Sequence, residues 1–389
     1  MSGEVRLSPE ATAVIDGGIR DVPDALLGGP RSEAGSLLRL ARPEGAPLAI
    51  AVSDPGNACI RVMATADEGA SDVTPEFWRT RVARALGLRR ALGLATPDSA
   101  FRLLHGAGDG TPGFLADVFG DWAVLYAPSD GLMAMGRELA EAVCAEARLR
   151  GAVLKARGRG AARAGRVQQA WLGERTPERL TVRERGVPFE VHLDAGINVG
   201  LFTDMREHRH GLARWVRGGS VLNLFAYTGS LSVIAARAGA QVTSVDLSAG
   251  VLDWARDNFR HAGLDPDRHV FVAEDAGRYL NQAIGEGRQF DAVLVDPPSF
   301  SAARDAEFAV ERDYPGLVAR AARLVAPGGL LWLASNTRGV SLAGLARDGL
   351  RRVRREAGVI ESGGLPPDHP TLLAQPEDRY LQVELLRLG

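Results

Sequence analysis

Short apolar runs alternate with amphipathic segments from about residue 191 to the end of the chain. The apolar runs are four to six residues long and rich in Val and Leu, which is typical of buried strands, and the segments between them have the apolar spacing of helices. The predicted strands are 221–224, 241–246, 269–273, 290–295 and 330–335, and the predicted helices are 229–238, 249–262, 277–286 and 314–324. This alternation predicts an α/β fold with a doubly wound, mostly parallel sheet over residues 191–389.

The pattern before residue 191 predicts two smaller domains. Short strands at 36–41, 47–52 and 59–64, separated by Pro- and Gly-containing turns, predict a small β domain over residues 1–73. A helix should begin after Thr74, which has the side chain of an N-cap, and end near Leu92. The rest predicts a central α+β module over residues 74–190, with strands at 101–104, 113–118, 122–126, 152–156 and 181–193 and a helix at 132–149.

The turn after the first α/β strand carries the first candidate chemistry. Residues 223–230 read Asn-Leu-Phe-Ala-Tyr-Thr-Gly-Ser, and Gly229 allows the chain to bend sharply into the next helix. The free N–H groups at the start of a helix attract an anionic group. Because the turn lacks both the Gly-x-Gly-x-x-Gly fingerprint and a Walker lysine, a ligand with a carboxylate fits better here than a dinucleotide pyrophosphate.

Acidic residues follow the next three strands. Asp246 closes the second strand and can accept hydrogen bonds from both hydroxyls of a ribose, although it could instead cap the next helix, a role that Ser248 could also fill. Asp275 follows the third strand and can accept from an adenine amino group, and Asp296 follows the fourth. Since ligands of such sheets bind at the carboxyl ends of the strands, the four turns together predict a site for S-adenosylmethionine (SAM).

The segments after the fourth and fifth strands suit a flat substrate. Pro297 and Pro298 stiffen the backbone beyond Asp296, so that carbonyl groups can face a base, and Phe300 could stack on it. Asn336 could hydrogen-bond a base edge. We therefore predict that Asp296, Pro297, Pro298, Phe300 and Asn336 surround the methyl acceptor.

Three further segments carry a family resemblance. Residues 102–113 (Arg-Leu-Leu-His-Gly-Ala-Gly-Asp-Gly-Thr-Pro-Gly), 200–206 (Gly-Leu-Phe-Thr-Asp-Met-Arg) and 367–370 (Pro-Asp-His-Pro) resemble motifs of the large-subunit ribosomal RNA methyltransferase I/K family of class I SAM-dependent enzymes. The resemblance covers nearly the whole chain, most clearly residues 75–389. It implies an N-terminal PUA-like RNA-binding β domain, a central α+β module and a Rossmann-like catalytic domain that methylates a base of 23S ribosomal RNA or a large-subunit precursor.

The resemblance also implies which residues bind SAM. The strand-end turns should line the cofactor, and Phe202 and Arg206 should lie beside it. The full predicted cofactor set is Phe202, Arg206, Asn223, Phe225, Tyr227, Thr228, Gly229, Asp246, Leu247, Asp275, Ala276 and Asp296.

One departure from the family pattern bears on the reaction. Members that methylate cytosine C5 carry Ser-Cys-Ser after the fifth strand, because a thiolate must add to C6 before C5 can attack. Residues 334–339 here read Ala-Ser-Asn-Thr-Arg-Gly, so Asn336 stands in place of the cysteine, and the segment resembles the guanine-N7 branch instead. We therefore predict N-methylation of the guanine-N7 type. The alternatives are cytosine-C5 methylation, an assembly factor that binds SAM and RNA without turnover, and a small-molecule methyl acceptor.

The charge distribution bears on how RNA is held. The chain carries 46 basic and 48 acidic residues, and residues 1–73 alone carry six arginines against eleven acidic residues. This acidic domain also lacks the family's basic His-Pro-Trp stretch, so it is a degenerate PUA-like domain, and its charge argues against RNA binding because phosphate contacts need cations. The predicted RNA contacts are Lys155, Arg157, Arg159 and Arg209.

The remaining composition bears on the cellular context. No apolar run approaches the roughly 18 residues of a membrane span, and residues 1–10 lack the pattern of a secretory signal. Cys59 and Cys144 lie far apart and outside any metal-binding spacing, which predicts neither a disulfide nor a metal site. We expect a cytoplasmic enzyme, and the sequence leaves open whether it forms a homodimer.

Overall fold

A five-stranded sheet forms the first part of the chain. The computed structural model describes residues 4–28, 32–157, 168–298, 302–303, 306–307 and 309–389. The strands of the first sheet are β1 (Glu4–Arg6), β2 (Asp21–Pro23), β3 (Leu37–Ala41), β4 (Pro47–Asp54) and β5 (Cys59–Thr65), in the order β1-β3-β4-β5-β2. Helix α1 (Pro9–Asp16), which the pattern did not predict, buries Ala11 and Ile15 in the core of this sheet. The PUA-like character of this region stays a prediction.

A second five-stranded sheet forms the central part. Its strands are β6 (Ala100–His105), β7 (Leu115–Phe119), β8 (Trp122–Ala127), β9 (Gly151–Ala156) and β10 (Gln169–Gly173), in the order β10-β9-β8-β7-β6, and its helices are α2 (Pro75–Ala91) and α3 (Met133–Ala147). Strands β8 and β9 are parallel because α3 connects them, whereas the other neighbours are antiparallel. Thr74 caps α2 as predicted, since its hydroxyl accepts from the N–H of Phe77 at 3.2 Å.

The α/β region follows β11 (Leu180–Glu184) and β12 (Val187–Val191). Its helices are α4 (Arg206–Leu212), α5 (Ser230–Arg237), α6 (Ala249–His261), α7 (Ala276–Gly285), α8 (Val310–Leu324) and α9 (Leu342–Arg352). Its strands are β13 (Ser220–Leu224), β14 (Gln241–Asp246), β15 (Val270–Ala273), β16 (Phe290–Val295), the short pair β17 (Ala302–Ala303) and β18 (Ala306–Glu307), β19 (Val325–Ser335), β20 (Ala357–Gly363) and β21 (Gln382–Leu388). Within the described ranges, no helix is long and apolar enough to cross a membrane.

Seven of these strands form one sheet in the order β15-β14-β13-β16-β19-β21-β20. The first five are parallel, and β21 runs antiparallel to β19 and to β20. The sheet confirms the predicted doubly wound, mostly parallel fold. The strand order reverses at β13, because the chain passes from β13 to β14 and β15 on one side and later to β16 on the other. Ligands of such sheets bind at the carboxyl ends of the strands beside this reversal.

Two compact units interleave along the chain. The first contains Met1–Arg185, Val191–Val199 and Pro367–Asp378, and the second contains Gly186–Glu190, Gly200–Pro366 and Arg379–Gly389. Around the predicted boundary between residues 190 and 191, Gly186–Glu190 belong to the second unit and Val191–Val199 to the first, and the segment between β20 and β21 also belongs to the first. This boundary stays a prediction. The predicted division at residue 73 falls inside the first unit and stays a prediction.

Candidate active site

The turn after β13 has an unusual backbone. Phe225 and Tyr227 have positive φ angles of 57° and 49°, and Gly229 has a φ of 73°. A left-handed conformation costs about 1–2 kcal/mol for a residue with a Cβ atom, and such strain collects at functional sites. Two hydrogen bonds to β14 hold the turn: the N–H of Ala226 donates to the carbonyl of Val245 at 3.0 Å, and that of Tyr227 donates to Oδ2 of Asp246 at 2.9 Å.

Gly229 is required here for packing as well as for its backbone conformation. A Cβ atom at this position would lie 2.9 Å from the Cβ of Ala255 on α6. Gly229 also gives α5 no capping side chain, whereas Ser248 caps α6 and Asp275 caps α7. The first N–H groups of α5 therefore have no cap from this residue and suit the carboxylate of SAM.

The carboxylate of Asp246 is held at the end of β14 by two main-chain donors. Its Oδ2 accepts from the N–H of Tyr227, and its Oδ1 accepts from the N–H of Ser248 at 3.1 Å. Ser248 caps α6 by accepting from the N–H of Val251 at 3.3 Å, so Asp246 is not the cap. Each oxygen of Asp246 keeps a second lone pair, which fits the predicted pair of ribose hydroxyls.

Large apolar side chains are exposed beside this turn. Leu247, which follows Asp246, is 68% exposed, and Phe202 is 40% exposed with its ring centroid 5.3 Å from that of Tyr227. Exposed apolar groups next to a polar cradle are typical of a surface that a ligand covers. The residues present therefore fit an adenosyl group, which has an aromatic base and a ribose.

Two members of the predicted cofactor set are buried and hydrogen-bonded within the protein. Asn223 is 1% exposed and its side-chain amide donates to the hydroxyl of Ser232 on α5, and Thr228 is fully buried and donates to the carbonyl of Gly200 at 2.5 Å. Their side chains hold neighbouring segments in place, and their contacts with SAM stay a prediction. An asparagine or a threonine at a strand-end turn can either bind a ligand or hold neighbouring segments of the protein. The sequence alone does not distinguish these two roles.

Three other members have surroundings that the sequence did not indicate. Asp275 is exposed but also accepts from the N–H of Arg278 at 2.9 Å as the cap of α7, and Ala276 beside it is 6% exposed. Arg206 is 2% exposed and its Nε donates to Glu207 at 3.2 Å. Their contacts with SAM remain proposals.

Asp296 lies in an environment that favours its protonated form. Burial, followed by the charge of Asp204, raises the pKa of Asp296 to about 7, whereas Arg209 acts in the opposite direction. Asp204 in turn accepts from the hydroxyl of Tyr380 at 2.8 Å. Sequence reasoning missed Asp204 and Tyr380 as site residues, although Asp204 lies within the family-like segment 200–206. Perturbed pKa values of this size are common in active sites.

The remaining predicted acceptor residues follow strands β16 and β19. Pro297 is buried and Pro298 exposed, immediately after Asp296, and Asn336 is exposed one residue beyond the end of β19. Phe300 lies outside the described residues. Strands β16 and β19 are neighbours, so the turns that carry Asp296 and Asn336 leave the sheet side by side.

Two of the four predicted RNA contacts, Lys155 and Arg209, are buried. Lys155 is 0% exposed, and its ammonium group donates to the carbonyls of Ala195 and Gly196, both at 2.6 Å. Arg209 is 1% exposed and donates to the carbonyl of Phe202 at 2.9 Å. Buried cations that hold main-chain carbonyls are not a surface for phosphates. Arg157 is exposed, and Arg159 lies outside the described residues.

The two other family-like segments meet inside the first unit. The buried guanidinium of Arg89 binds both carboxylate oxygens of Asp109 and the carbonyl of Asp368, at 2.6–2.7 Å. The N–H of Arg102 donates to the carboxylate of Asp368 at 3.0 Å. Residues 102–113 and 367–370 therefore form one buried ion network, which explains their specific sequences by structure.

Comparison with known proteins supports SAM as the cofactor. Residues 126–372 match the family model for S-adenosylmethionine-dependent methyltransferases. The chain is 37% identical over 243 residues to ribosomal RNA large subunit methyltransferase K of Neisseria meningitidis, covering 60% of this chain and 69% of the relative. It is 30% identical over 364 residues to ribosomal RNA large subunit methyltransferase I of Erwinia tasmaniensis, covering 90% of each chain.

A solved structure shows the same fold. SMU.776, described as a methyltransferase and complexed with SAH, superposes with a TM-score of 0.88 over the whole of both chains at 22% identity. Together, the strand order, the turn after β13 and the sequence matches identify the cofactor as SAM. The chain belongs to the family of S-adenosylmethionine-dependent methyltransferases that includes the ribosomal RNA large subunit methyltransferases I and K.

Proposed function

We propose that this enzyme methylates a base of large-subunit ribosomal RNA, and that the acceptor is a ring nitrogen of the guanine-N7 type. The names of the two relatives support the RNA substrate. The single observation that favours nitrogen over cytosine C5 is Asn336, which follows β19 where the cytosine-specific members carry their cysteine.

The two cysteines of the chain are poor candidates for the missing nucleophile. Both are half-buried members of the first unit, on β5 and α3. Burial raises the pKa of Cys59 and of Cys144 to about 11 each, so at neutral pH both are thiols rather than thiolates. Attack on C6 of cytosine needs a thiolate, which neither residue provides.

A ring nitrogen needs no such activation, because guanine N7 already has a lone pair. SAM supplies an electrophilic methyl group, and the protein needs to hold the base with N7 in line with it, which is catalysis by proximity and alignment. In this proposal the carboxylate of Asp296 accepts from the exocyclic amine of the base, and Asn336 hydrogen-bonds its edge. The base must be unstacked from its RNA neighbours to enter the site.

Fewer residues remain as candidate RNA contacts than the sequence predicted. Arg157 is the predicted contact that is both described and exposed, and its guanidinium lies 5.5 Å from the ring centroid of Tyr126. Arg157 is thus an exposed cation beside the buried ring of Tyr126, and an exposed arginine suits an RNA phosphate. We keep Arg157 as the proposed phosphate contact.

Nucleoside mass spectrometry of large-subunit ribosomal RNA, from cells with and without the gene, tests the function. We expect 7-methylguanosine to fall when the gene is deleted and to return with a Cys59→Ala/Cys144→Ala double variant. Loss of 5-methylcytidine instead would contradict the role of Asn336. Unchanged modification in every ribosomal RNA would contradict the substrate, and then an assembly factor or a small-molecule methyltransferase would be the better explanation.

A further inference from the structure

Tyr314 of α8 lies under the two strand ends that lead to the proposed acceptor residues. Its side chain is fully buried, and its hydroxyl donates to the carbonyl of Ala334 at 2.8 Å and lies 3.5 Å from the carbonyl oxygen of Val295. Val295 is the last residue of β16, directly before Asp296, and Ala334 lies two residues before Asn336 on β19. One hydroxyl group therefore contacts the main chain of both segments.

The register of the sheet places the contacts of the Tyr314 hydroxyl at the end of the pairing between β16 and β19. The parallel pairing between β16 and β19 ends with Val295 opposite Leu333. The chain leaves the ladder after this pair, so main-chain hydrogen bonds between the two strands no longer set the distance between their turns. The Tyr314 hydroxyl contacts the two carbonyls at this end of the ladder.

We infer that Tyr314 is a positioning residue, whose hydroxyl fixes the separation of the turns that carry Asp296 and Asn336 and so places the methyl acceptor. This inference rests on the proposed function, because it requires both turns to face the base. The hydroxyl remains a donor at any ordinary pH, since burial and the nearby Asp296 raise the pKa of Tyr314 well above its usual value.

The expected effect falls on the transfer step more than on stability. A displacement of reacting groups by about 1 Å can cost about 100-fold in rate, so a small shift of either turn should be visible in kcat. Binding of SAM should change little, because most of the predicted cofactor set lies in the turns after β13, β14 and β15, and only Asp296 of that set follows a strand end that the Tyr314 hydroxyl contacts.

Tyr314→Phe and Tyr279→Phe form a matched pair of variants. Tyr279 on α7 is also buried, but its hydroxyl has no hydrogen-bond partner within the described part of the chain. Both changes remove one buried oxygen, and Tyr314→Phe alone removes the link between the two turns.

We would measure SAM affinity, thermal unfolding, and methyl transfer from labelled SAM to large-subunit ribosomal RNA isolated from cells that lack the gene. We expect kcat to fall at least tenfold in Tyr314→Phe, with SAM affinity within twofold of wild type, and both values within twofold in Tyr279→Phe.

A double variant separates positioning from a general loss of structure. In an Asn336→Ala background, Tyr314→Phe should lower kcat by less than threefold, because one of the two groups whose separation Tyr314 fixes is already gone. A full tenfold loss there, equal effects of the two Tyr→Phe changes, or a Tyr314→Phe protein that does not fold would each overturn the inference. If the wild-type protein methylates no ribosomal RNA, the proposed function and this inference are both overturned. If the wild-type protein is active and Tyr314→Phe leaves kcat unchanged, the inference alone is overturned.

Discussion

Asp296 shows at the scale of one residue how the fold changes ordinary chemistry. Burial is the larger cause and the negative charge of Asp204 the second cause of a pKa raised to about 7. A carboxylic acid with this pKa is about half protonated in neutral solution. Only the ionised form has both oxygens free to accept from the amine of a base, so the proposed contact should depend on pH.

Methyl transfer should therefore follow the titration of Asp296. We expect kcat/KM to rise about tenfold per pH unit below pH 7 and to level off above it, and Asp296→Asn should remove this inflection. Because the folded-state pKa lies above the ordinary 3.8, the stability of the wild type relative to Asp296→Asn should fall as the pH rises from about 4 to about 7. Initial rates and denaturant titrations across this range check both statements, and an inflection that persists in Asp296→Asn would contradict the first.

Lys155 is the only lysine among 46 basic residues, and its environment explains why an arginine does not replace it. Its ammonium group is fully buried against two main-chain carbonyls, and burial lowers the pKa of Lys155 to about 8. A guanidinium is larger and has five donors, more than this site provides acceptors for. The ammonium is thus selected by size and donor number, not by charge alone.

Lys155→Arg should destabilise the protein by about 2–4 kcal/mol through overpacking and unpaired donors. The matched control is Arg157→Lys, the reverse change at an exposed position two residues away, which should stay within about 1 kcal/mol of wild type. Urea unfolding at pH 7 measures both. Equal stabilities of the two variants would show that the carbonyl contacts of Lys155 contribute little.

At the scale of elements, the turn between β13 and α5 combines strain with compensating contacts. Hydrogen bonds to β14, including the one from the N–H of Tyr227 to Asp246, offset the conformational cost of its left-handed residues. Asp246 therefore shapes the turn as well as being the candidate ribose acceptor. In this turn the N-cap residue, Gly229, gives the first N–H groups of α5 no side-chain cap. Uncapped N–H groups are what an anionic ligand group requires.

Gly229→Ala should disturb this turn, because it adds a Cβ atom at a φ of 73° and 2.9 Å from Ala255. We expect a loss of about 2–4 kcal/mol in stability and at least tenfold weaker SAM binding. Gly250→Ala on α6 is the control, since nothing lies within 4 Å of its added Cβ, and it should bind SAM normally. Calorimetric titration with SAM distinguishes the two, and unchanged affinity in Gly229→Ala would argue against a carboxylate site at α5.

At the scale of the whole molecule, segments that are far apart in sequence are tied by buried charges within the first unit. Asp368 accepts from Arg102 and from His369, and Arg89 joins Asp109 to the Asp368 carbonyl. Removal of one partner from such a network leaves a buried charge unpaired, which is strongly destabilising. The excursion of the chain between β20 and β21 is thereby fixed in the first unit.

Gly108→Ala tests this tie without removing a charge. Its added Cβ would lie 1.8 Å from the carbonyl oxygen of Pro370, so the segment 367–378 would have to move. We expect a loss of about 3 kcal/mol or more, together with faster hydrogen exchange in that segment. Gly87→Ala in α2, where nothing lies within 4 Å, should instead be neutral or stabilising by about 1 kcal/mol. Normal exchange in Gly108→Ala would show that the two segments are not coupled.

The periodicity of the chain predicted many, but not all, of the elements that bury one regular face. The five predicted strands of the α/β sheet and the helices between them are present, with β14 and β16 at the predicted bounds. The elements α9 and β21 were missed, as were the short or edge elements α1, α4 and β20, whose placement depends on contacts with distant segments. Local pattern carries no information about those contacts.

By itself the sequence determined the fold class, the cofactor and the position of the strand-end turns, because strand–helix alternation and the residue that follows each strand are local properties. Only the tertiary structure decided which side chains face the site. It buried Lys155, Arg209 and Asn223, placed Asp204 where its charge raises the pKa of Asp296, and placed the Tyr314 hydroxyl against the carbonyls of Val295 and Ala334. The physical reason is that solvation, pKa and hydrogen-bond partners depend on neighbours that are distant in the chain, and folding alone creates those neighbours.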